Sequence, residues 1–343
     1  SLQLPHFFAC SIALLAVIAF SGATHDIATD GVYMTELSKS DQAKYIGWQG
    51  AFYNIAKIVA SGGLVYLAGW LVKRFGGVEG ASGEVVYEAN VHAWMIVMFV
   101  MAIVMISLGL YHTRMLPSGG AATSEATSFK ETFDKLVEVI LDFFKKKHIW
   151  YYIAFIILYR FAEGFVMKIV PLFLKAGREI GGLGLSEQEI GIYYGTYGAA
   201  AFVLGSLLAG YYISHRGLKK TLFSLCCTFN LPFIAYTLLA IYQPTSGMLI
   251  GGAIVLEYFG YGFGFVGLTL FMMQQVAPGK HQMAHYAFAS GIMNLGVMLP
   301  GMVSGFVSDW LGYRDFFIFI LFATIPAFLI TYFVPFTYPD TKK

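Results

Sequence analysis

Long apolar runs broken by short polar stretches set the pattern of this chain. A helix needs about 20 apolar residues to cross a bilayer. Nine stretches reach that length, at about 7–35, 46–72, 91–111, 149–174, 189–213, 219–241, 247–275, 283–309 and 312–336. Most exceed the minimum, which predicts tilt or extension past the bilayer. The first lacks the basic leader and cleavage flank of a signal peptide. The pattern predicts an all-α integral membrane protein that spans the bilayer several times.

Composition strengthens that picture. Only 12% of residues are charged and 57% are hydrophobic, whereas a soluble domain carries roughly 25% charged residues. A soluble enzyme is excluded as the default, and 17% aromatic residues argue against disorder. The net charge of +2 leaves no basic surface for nucleic acid. Cys10, Cys226 and Cys227 all lie in apolar runs, without metal spacing, and read as small core residues. No cofactor is implied.

The lysines and arginines orient the spans, because cytoplasmic loops collect them. One set of alternate loops carries fourteen, including Lys145, Lys146, Lys147, Arg216, Lys219 and Lys220, against five on the other side. The expected C-terminus is therefore cytoplasmic. The expected N-terminus is outside, and the chain begins with Ser1. That reads as a piece lacking an odd number of preceding spans.

Three domains are expected: a partial bundle of three spans at 1–111, a linker at 112–148, and a six-span bundle at 149–343. The linker begins with a Gly/Ala/Ser/Thr-rich stretch to residue 127. Ser128 and Glu131 then form a capping-box pattern. Phe133, Leu136, Val137, Ile140, Phe143 and Phe144 follow at helical spacing, with lysines at the end. This predicts an amphipathic helix on the cytoplasmic membrane face. The pairs Gly191/Gly195 and Gly301/Gly305 predict close helix contacts.

Ionisable groups within a bilayer are costly and point to function. The first segment carries His25, Asp26 and Asp30, with Tyr33 near. Asp26 and Asp30 are four apart and share a helix face. Two carboxylates there need two partners, or one is protonated, because like charge and burial both disfavour ionisation. Such a group suits proton coupling. Asn54 and Lys57 lie three apart on the second segment. Arg160 and Glu163 can pair locally on the fourth, Glu257 lies in the seventh, and Asn294 in the eighth. The competing reading is that these groups pair and hold the bundle together. An acyltransferase-like His25/Asp30 dyad would need a helix break, since residues five apart differ by about 140° around a regular helix. Gly31 could supply that break.

Residues 210–222 resemble the G-x-x-x-D-R-x-G-R-K motif of the major facilitator superfamily. Gly210, Gly217, Lys219 and Lys220 match. Ser214 replaces the usual Asp, and Leu218 a usual basic residue. The motif places the nine spans as helices four to twelve of twelve. Residues 23–31, ATHDIATDG, resemble the helix-four signature of AmpG-like muropeptide permeases and related acetyl-CoA transporters. Tyr53-Asn54-Ile55-Ala56 and Tyr159-Arg160-Phe161-Ala162-Glu163-Gly164 resemble their helix-five and helix-seven stretches.

The resemblance implies proton-driven import of anhydro-muropeptides or related amino sugars across the cytoplasmic membrane. Its working unit would be a monomer in the lipid bilayer. Asp26, Asp30 and Glu163 would carry protons. His25, Tyr33, Asn54, Lys57, Arg160, Glu257 and Asn294 would meet substrate. Gly210, Ser214, Gly217, Lys219 and Lys220 would form the gating motif. His25 stands where the family usually has Gln, and Asn54 where it usually has Arg. Gly260, Gly262 and Gly264 beyond Glu257 predict either a flexible helix or close packing. Competing functions are a sugar or oligosaccharide symporter of the same fold, a non-transporting membrane sensor, and a membrane acyltransferase.

Overall fold

The protein is described by a computed structural model that covers residues 6–78, 80–117 and 129–339. The linker stretch from 118, the capping residue Ser128 and the terminal Lys342 and Lys343 lie outside the described residues. Every regular element among the described residues is helical. In chain order they are α1 (Phe7–Glu36), α2 (Lys39–Ile58), α3 (Val65–Arg74), α4 (Gly83–Met115), α5 (Phe129–Phe144), α6 (Ile149–Tyr159), α7 (Phe161–Lys175), α8 (Glu187–Ile190), α9 (Gly198–Arg216), α10 (Leu218–Asn230), α11 (Phe233–Tyr242), α12 (Gly247–Phe271) and α13 (Gln282–Tyr332). Six helical stretches among the described residues are long and apolar enough to cross a membrane.

Several expected spans are not single α-helices. The stretch 46–72 is α2 and α3 joined by a π-helical turn, Val59–Leu64. The stretch 149–174 breaks at Arg160, whose φ of −105° and ψ of 7° end α6 and start α7. The last two spans run together in α13 but are divided at Gly312, with φ 72° and ψ 161°. A side chain there would strain the backbone.

The chain divides into two compact units, 1–32 with 55–125, and 33–54 with 126–343. The first includes the hairpin of α3 and α4. Ala68, Leu71, Ala93 and Val97 form its core. Ser82 caps α4 by accepting from the Val85 amide at 3.5 Å.

The second unit is held by close backbone approach. A Cβ at Gly205 would meet the Phe259 carbonyl, and one at Gly262 the Phe202 carbonyl. One at Gly260 would meet the Thr228 carbonyl, and one at Gly264 Phe229. Glycine therefore sets the distance from α12 to α9 and α10, and the close-packing reading of these three residues is the one the geometry supports. Gly164 is likewise filled by Val297 and Pro300 of α13. The expected pair Gly191/Gly195 behaves differently. Both lie in a π-helical segment, Gly191–Tyr197, and neither has a neighbour where a Cβ would stand. Small residues there serve a change of helix pitch instead of a close contact. Gly301 does approach the Gly164 carbonyl, whereas Gly305 is open.

Cations close two helix ends in this unit, where unpaired carbonyls and the helix dipole favour positive charge. Arg178 donates to the carbonyls of Gln243 (2.7 Å) and Pro244 (2.9 Å) after α11. Lys146, just after α5, donates to the carbonyls of Val276, Ala277 and Pro278 at 2.6, 2.9 and 2.8 Å. These follow the π-helical end of α12, Met272–Val276. The linker helix α5 is thus docked at its C-terminal end. Phe143 is buried, and the Val139 carbonyl lies 3.1 Å from Nε2 of His285. Phe133, Leu136 and Leu141 stay exposed.

Candidate functional site

The gating motif sits where α9 turns into α10. Gly217 has φ 83° and ψ 148°, so glycine is needed to end α9 and begin α10 at once. Gly210 is buried, and a Cβ on it would press on the Ala43 carbonyl of α2. One turn earlier, Ser206 donates to the Gly47 carbonyl at 3.2 Å. Ser214 caps within its own helix, donating to the Tyr211 carbonyl at 2.8 Å. Lys219 lies over the Phe336 ring at 5.9 Å, and Lys219 and Lys220 are exposed.

A second group of expected residues converges inside the helical core of the second unit. The break at Arg160 turns its guanidinium back onto the first turn of α7. There it grips Glu163 through both oxygens, with Nε to Oε2 at 2.6 Å and Nη2 to Oε1 at 2.7 Å. Both residues are buried. The guanidinium also stacks over Phe265 at 5.2 Å. Two parallel charge-assisted bonds fix the plane of the pair. Leaving either partner alone would cost about 3–5 kcal/mol, because an uncompensated buried charge remains.

Glu257 lies on α12 and is also buried. Its hydrogen bond comes from the Tyr236 hydroxyl of α11 at 3.3 Å. Aromatic rings surround it. Tyr258, the next residue, meets Tyr194 edge-on at 4.9 Å, and Tyr261 meets Phe202 at 5.0 Å. Tyr159 donates to the Gly264 carbonyl at 2.8 Å and ties α6 to α12. Tyr258, Tyr261 and Phe265 follow Glu257 at helical spacing, so an aromatic stripe on α12 was readable from sequence. Tyr236 and Tyr194 had no such signal; only the packing of α11 and the π segment brings them in.

The other expected residues sit elsewhere. Asn54 is buried but bonded to its own helix, donating to the Gly50 carbonyl at 2.9 Å. The Tyr33 hydroxyl donates to the Gln42 carbonyl at 2.7 Å and braces the α1–α2 turn. Asn294 is exposed.

His25, Asp26, Asp30 and Lys57 belong to the first unit. Asp30 is buried, whereas His25, Asp26 and Lys57 are exposed. The His25 ring stacks on His112 at 6.1 Å. α1 continues unbroken through Gly31 to Glu36. The helix break that a His25/Asp30 acyltransferase dyad requires is absent, so these two side chains point in different directions.

Comparison with known proteins agrees with this architecture. Residues 2–277 and 158–343 match the Major Facilitator Superfamily. The Anhydromuropeptide permease of Escherichia coli (strain K12) is 23% identical over 319 residues, covering 93% of this chain and 58% of that protein. The Putative transporter AmpG 2 of Rickettsia typhi is 24% identical over 217 residues, covering 59% of this chain and 48% of its own length. The chain thus spans a little over half the length of the first and about half of the second. With matches that together run from residue 2 to residue 343, the chain belongs to the major facilitator superfamily.

Proposed function

We propose that this chain is part of a secondary active transporter that imports anhydro-muropeptides or related amino sugars with protons, by alternating access. One observation carries the reading: Arg160, Glu163 and Glu257 are buried together within an apolar helical bundle. Ionisable groups placed so deep are costly and point by default to a substrate or proton pathway. Transporters of this fold hold substrate near the midplane and rock around it. The names of the relatives supply the substrate class.

In this reading Arg160 meets a substrate carboxylate, for which its planar fork is suited. Tyr194, Tyr258 and Tyr261 offer ring faces and hydroxyls to sugar rings. Asp26 and Asp30 take part in proton coupling from the first unit, and His25, Tyr33, Asn54, Lys57 and Asn294 contribute substrate contacts. The residues 210–220 and α2 form the gate. The protein works as a monomer in the inner membrane, with its C-terminus cytoplasmic and the linker helix beside the lipid surface.

The test is uptake of labelled N-acetylglucosaminyl-anhydro-N-acetylmuramic acid into proteoliposomes, with and without an imposed pH gradient. Gradient-dependent uptake is expected. Uptake of plain disaccharides in its place would move the substrate to the oligosaccharide class. Loss of neither Asp26→Asn nor Asp30→Asn activity would remove these two from coupling.

A further inference from the structure

We propose that Glu138, Asp142 and His281 form a site for a divalent transition-metal ion such as zinc, where the linker helix α5 meets the start of α13. The bound ion pins the one element to the other.

Local structure brings the ligands together. Glu138 and Asp142 are four apart on α5 and share a helix face. His281 caps α13, and its carbonyl accepts from the His285 amide at 2.9 Å, so the two imidazoles stand one turn apart. Lys146 and buried Phe143 dock the end of α5 and hold the carboxylates against this turn. The ligand atoms of Glu138, Asp142 and His281 then lie within 4.8 Å of one another.

The distances suit atoms that share an ion better than atoms that share a proton. Nε2 of His281 stands 3.5 Å from Oδ2 of Asp142 and 3.8 Å from Oε1 of Glu138. Both separations are too long for a good hydrogen bond. The nitrogen is buried and has no hydrogen-bond partner among the described residues. Zinc binds imidazole nitrogen and carboxylate oxygen at about 2.0–2.2 Å, which sets two ligand atoms of a tetrahedron about 3.4 Å apart. A small closure of the side chains reaches that spacing.

His285 supplies an independent sign. It is 2% exposed, and its Nε2 lies 3.1 Å from the Val139 carbonyl. A carbonyl only accepts, so in the neutral ring Nε2 carries the proton and Nδ1 the lone pair. That Nδ1 is buried and has no hydrogen-bond partner among the described residues. Metal-bound histidines show the same division, with one nitrogen donating to a carbonyl and the other facing the ion. His285 lines the same cavity of about 280 Å³ as Asp142 and His281. Its Nδ1 completes the coordination, directly or through a water on the ion. Imidazole and carboxylate together suit a transition metal such as zinc, whereas calcium and magnesium take oxygen ligands.

The neighbouring cations leave the carboxylates available. Lys146 lines the cavity, but its ammonium donates to three carbonyls. Lys280 holds Oε1 of Glu138 at 2.6 Å, yet its side chain is 71% exposed and can yield that carboxylate to an ion.

The experiment is calorimetric titration of zinc into the full chain in detergent, after chelation and with no histidine tag. One equivalent should bind. His281→Ala and Asp142→Asn should each weaken binding about tenfold or more. Lys280→Met should strengthen it, because the competitor for Glu138 is gone. A wild type that binds no zinc overturns the proposal, and so does an affinity unchanged in both His281→Ala and Asp142→Asn. A second measurement needs no variant. Zinc should slow hydrogen exchange of the wild-type chain over residues 138–142 and 279–285. Slowing that is absent, or confined to other parts of the chain, overturns the site. Neither readout involves transport, so failure of the muropeptide reading and failure of the metal site are told apart.

Discussion

Two ion pairs in this molecule share a nitrogen–oxygen distance of 2.6 Å and differ in almost everything else. Arg160–Glu163 has side chains 7% and 4% exposed. For Lys280–Glu138 the corresponding figures are 71% and 47%. The first is bidentate, locked by a helix break, and surrounded by aromatic rings. The second joins the linker helix α5 to the residues just before α13, in water. Distance alone would rank them as equals. Their surroundings separate them, because attraction between charges grows as water is removed and so does the cost of leaving one alone. The interior pair is a commitment that the fold cannot easily abandon. The surface pair is replaceable by solvent.

The largest effect should come from breaking the interior pair on one side only. Arg160→Leu leaves Glu163 buried without a cation, and the expected loss is about 3–5 kcal/mol of stability. The double variant Arg160→Leu with Glu163→Leu should recover most of it, because no charge remains uncompensated. On the transport reading proposed above, both should abolish uptake of the labelled substrate. Denaturation of each variant in detergent checks the first claim and uptake the second. If the double variant is no more stable than the single one, packing rather than charge holds this site.

The next effect tests whether the walls of the cluster can yield. Gly262→Ala would drive a methyl into the Phe202 carbonyl, backbone against backbone. A loss of about 1–3 kcal/mol is expected, as for other overpacked sites. Gly191→Ala, where nothing stands near the added atom, should be far milder. Equal costs at the two positions would mean that the α9–α12 contact opens freely, and the contrast between a rigid core and a soft surface would fail.

How much of this was legible beforehand follows from the same contrast. Apolar length alone announced a helical membrane protein, and spacing alone announced Arg160 with Glu163, since residues three apart meet on one helix. The break at Arg160 was not legible. No glycine or proline stands at that residue, and Phe161 and Ala162 are compatible with a continuous helix. The π turns were hidden too, although glycines stand in two of them, because glycine does not specify helix pitch. Gly191 and Gly195 carried the pattern of a tight contact and instead line a loosened helix, because the pattern records small size and not what small size is used for. Tyr236 could not be placed beside Glu257 from sequence, since only tertiary packing joins α11 to α12.

Lys146 is the intermediate case. It is half-buried, and burial pushes its amine down to about 8. At neutral pH it is still an ammonium, with three N–H groups facing three carbonyls at a helix end. Lys146→Met should cost about 1–2 kcal/mol at pH 7, from lost charge-assisted bonds and the helix-end interaction. The pH response has a definite sign. Between about 8 and the ordinary lysine value the unfolded chain holds a proton that the folded chain has released, so this group makes stability rise with pH across that window. The Met variant should lack that rise. A parallel pH profile in both proteins would show that Lys146 is solvated like the surface pair.

The smallest effect belongs to Glu138. Lys280 holds its carboxylate below the ordinary value, first by the hydrogen bond and then by its charge. A lowered carboxylate contributes stability above its unfolded value and loses it as pH falls through the folded one. The direction is therefore an acid-side loss. Solvent and salt screen a pair this exposed, and ordering two long side chains opposes the gain. Glu138→Gln should accordingly leave the melting midpoint unchanged within error at pH 7, and raising the salt should make no difference to the comparison. His281 sharpens the test, because its Nε2 lies 3.8 Å from Glu138 and 3.5 Å from Asp142. A Glu138→Gln variant that is silent alone but costs stability in an Asp142→Asn background would show that the groups act as a network. A variant that is already much weaker at pH 7 would break the comparison, since distance would then have outweighed exposure.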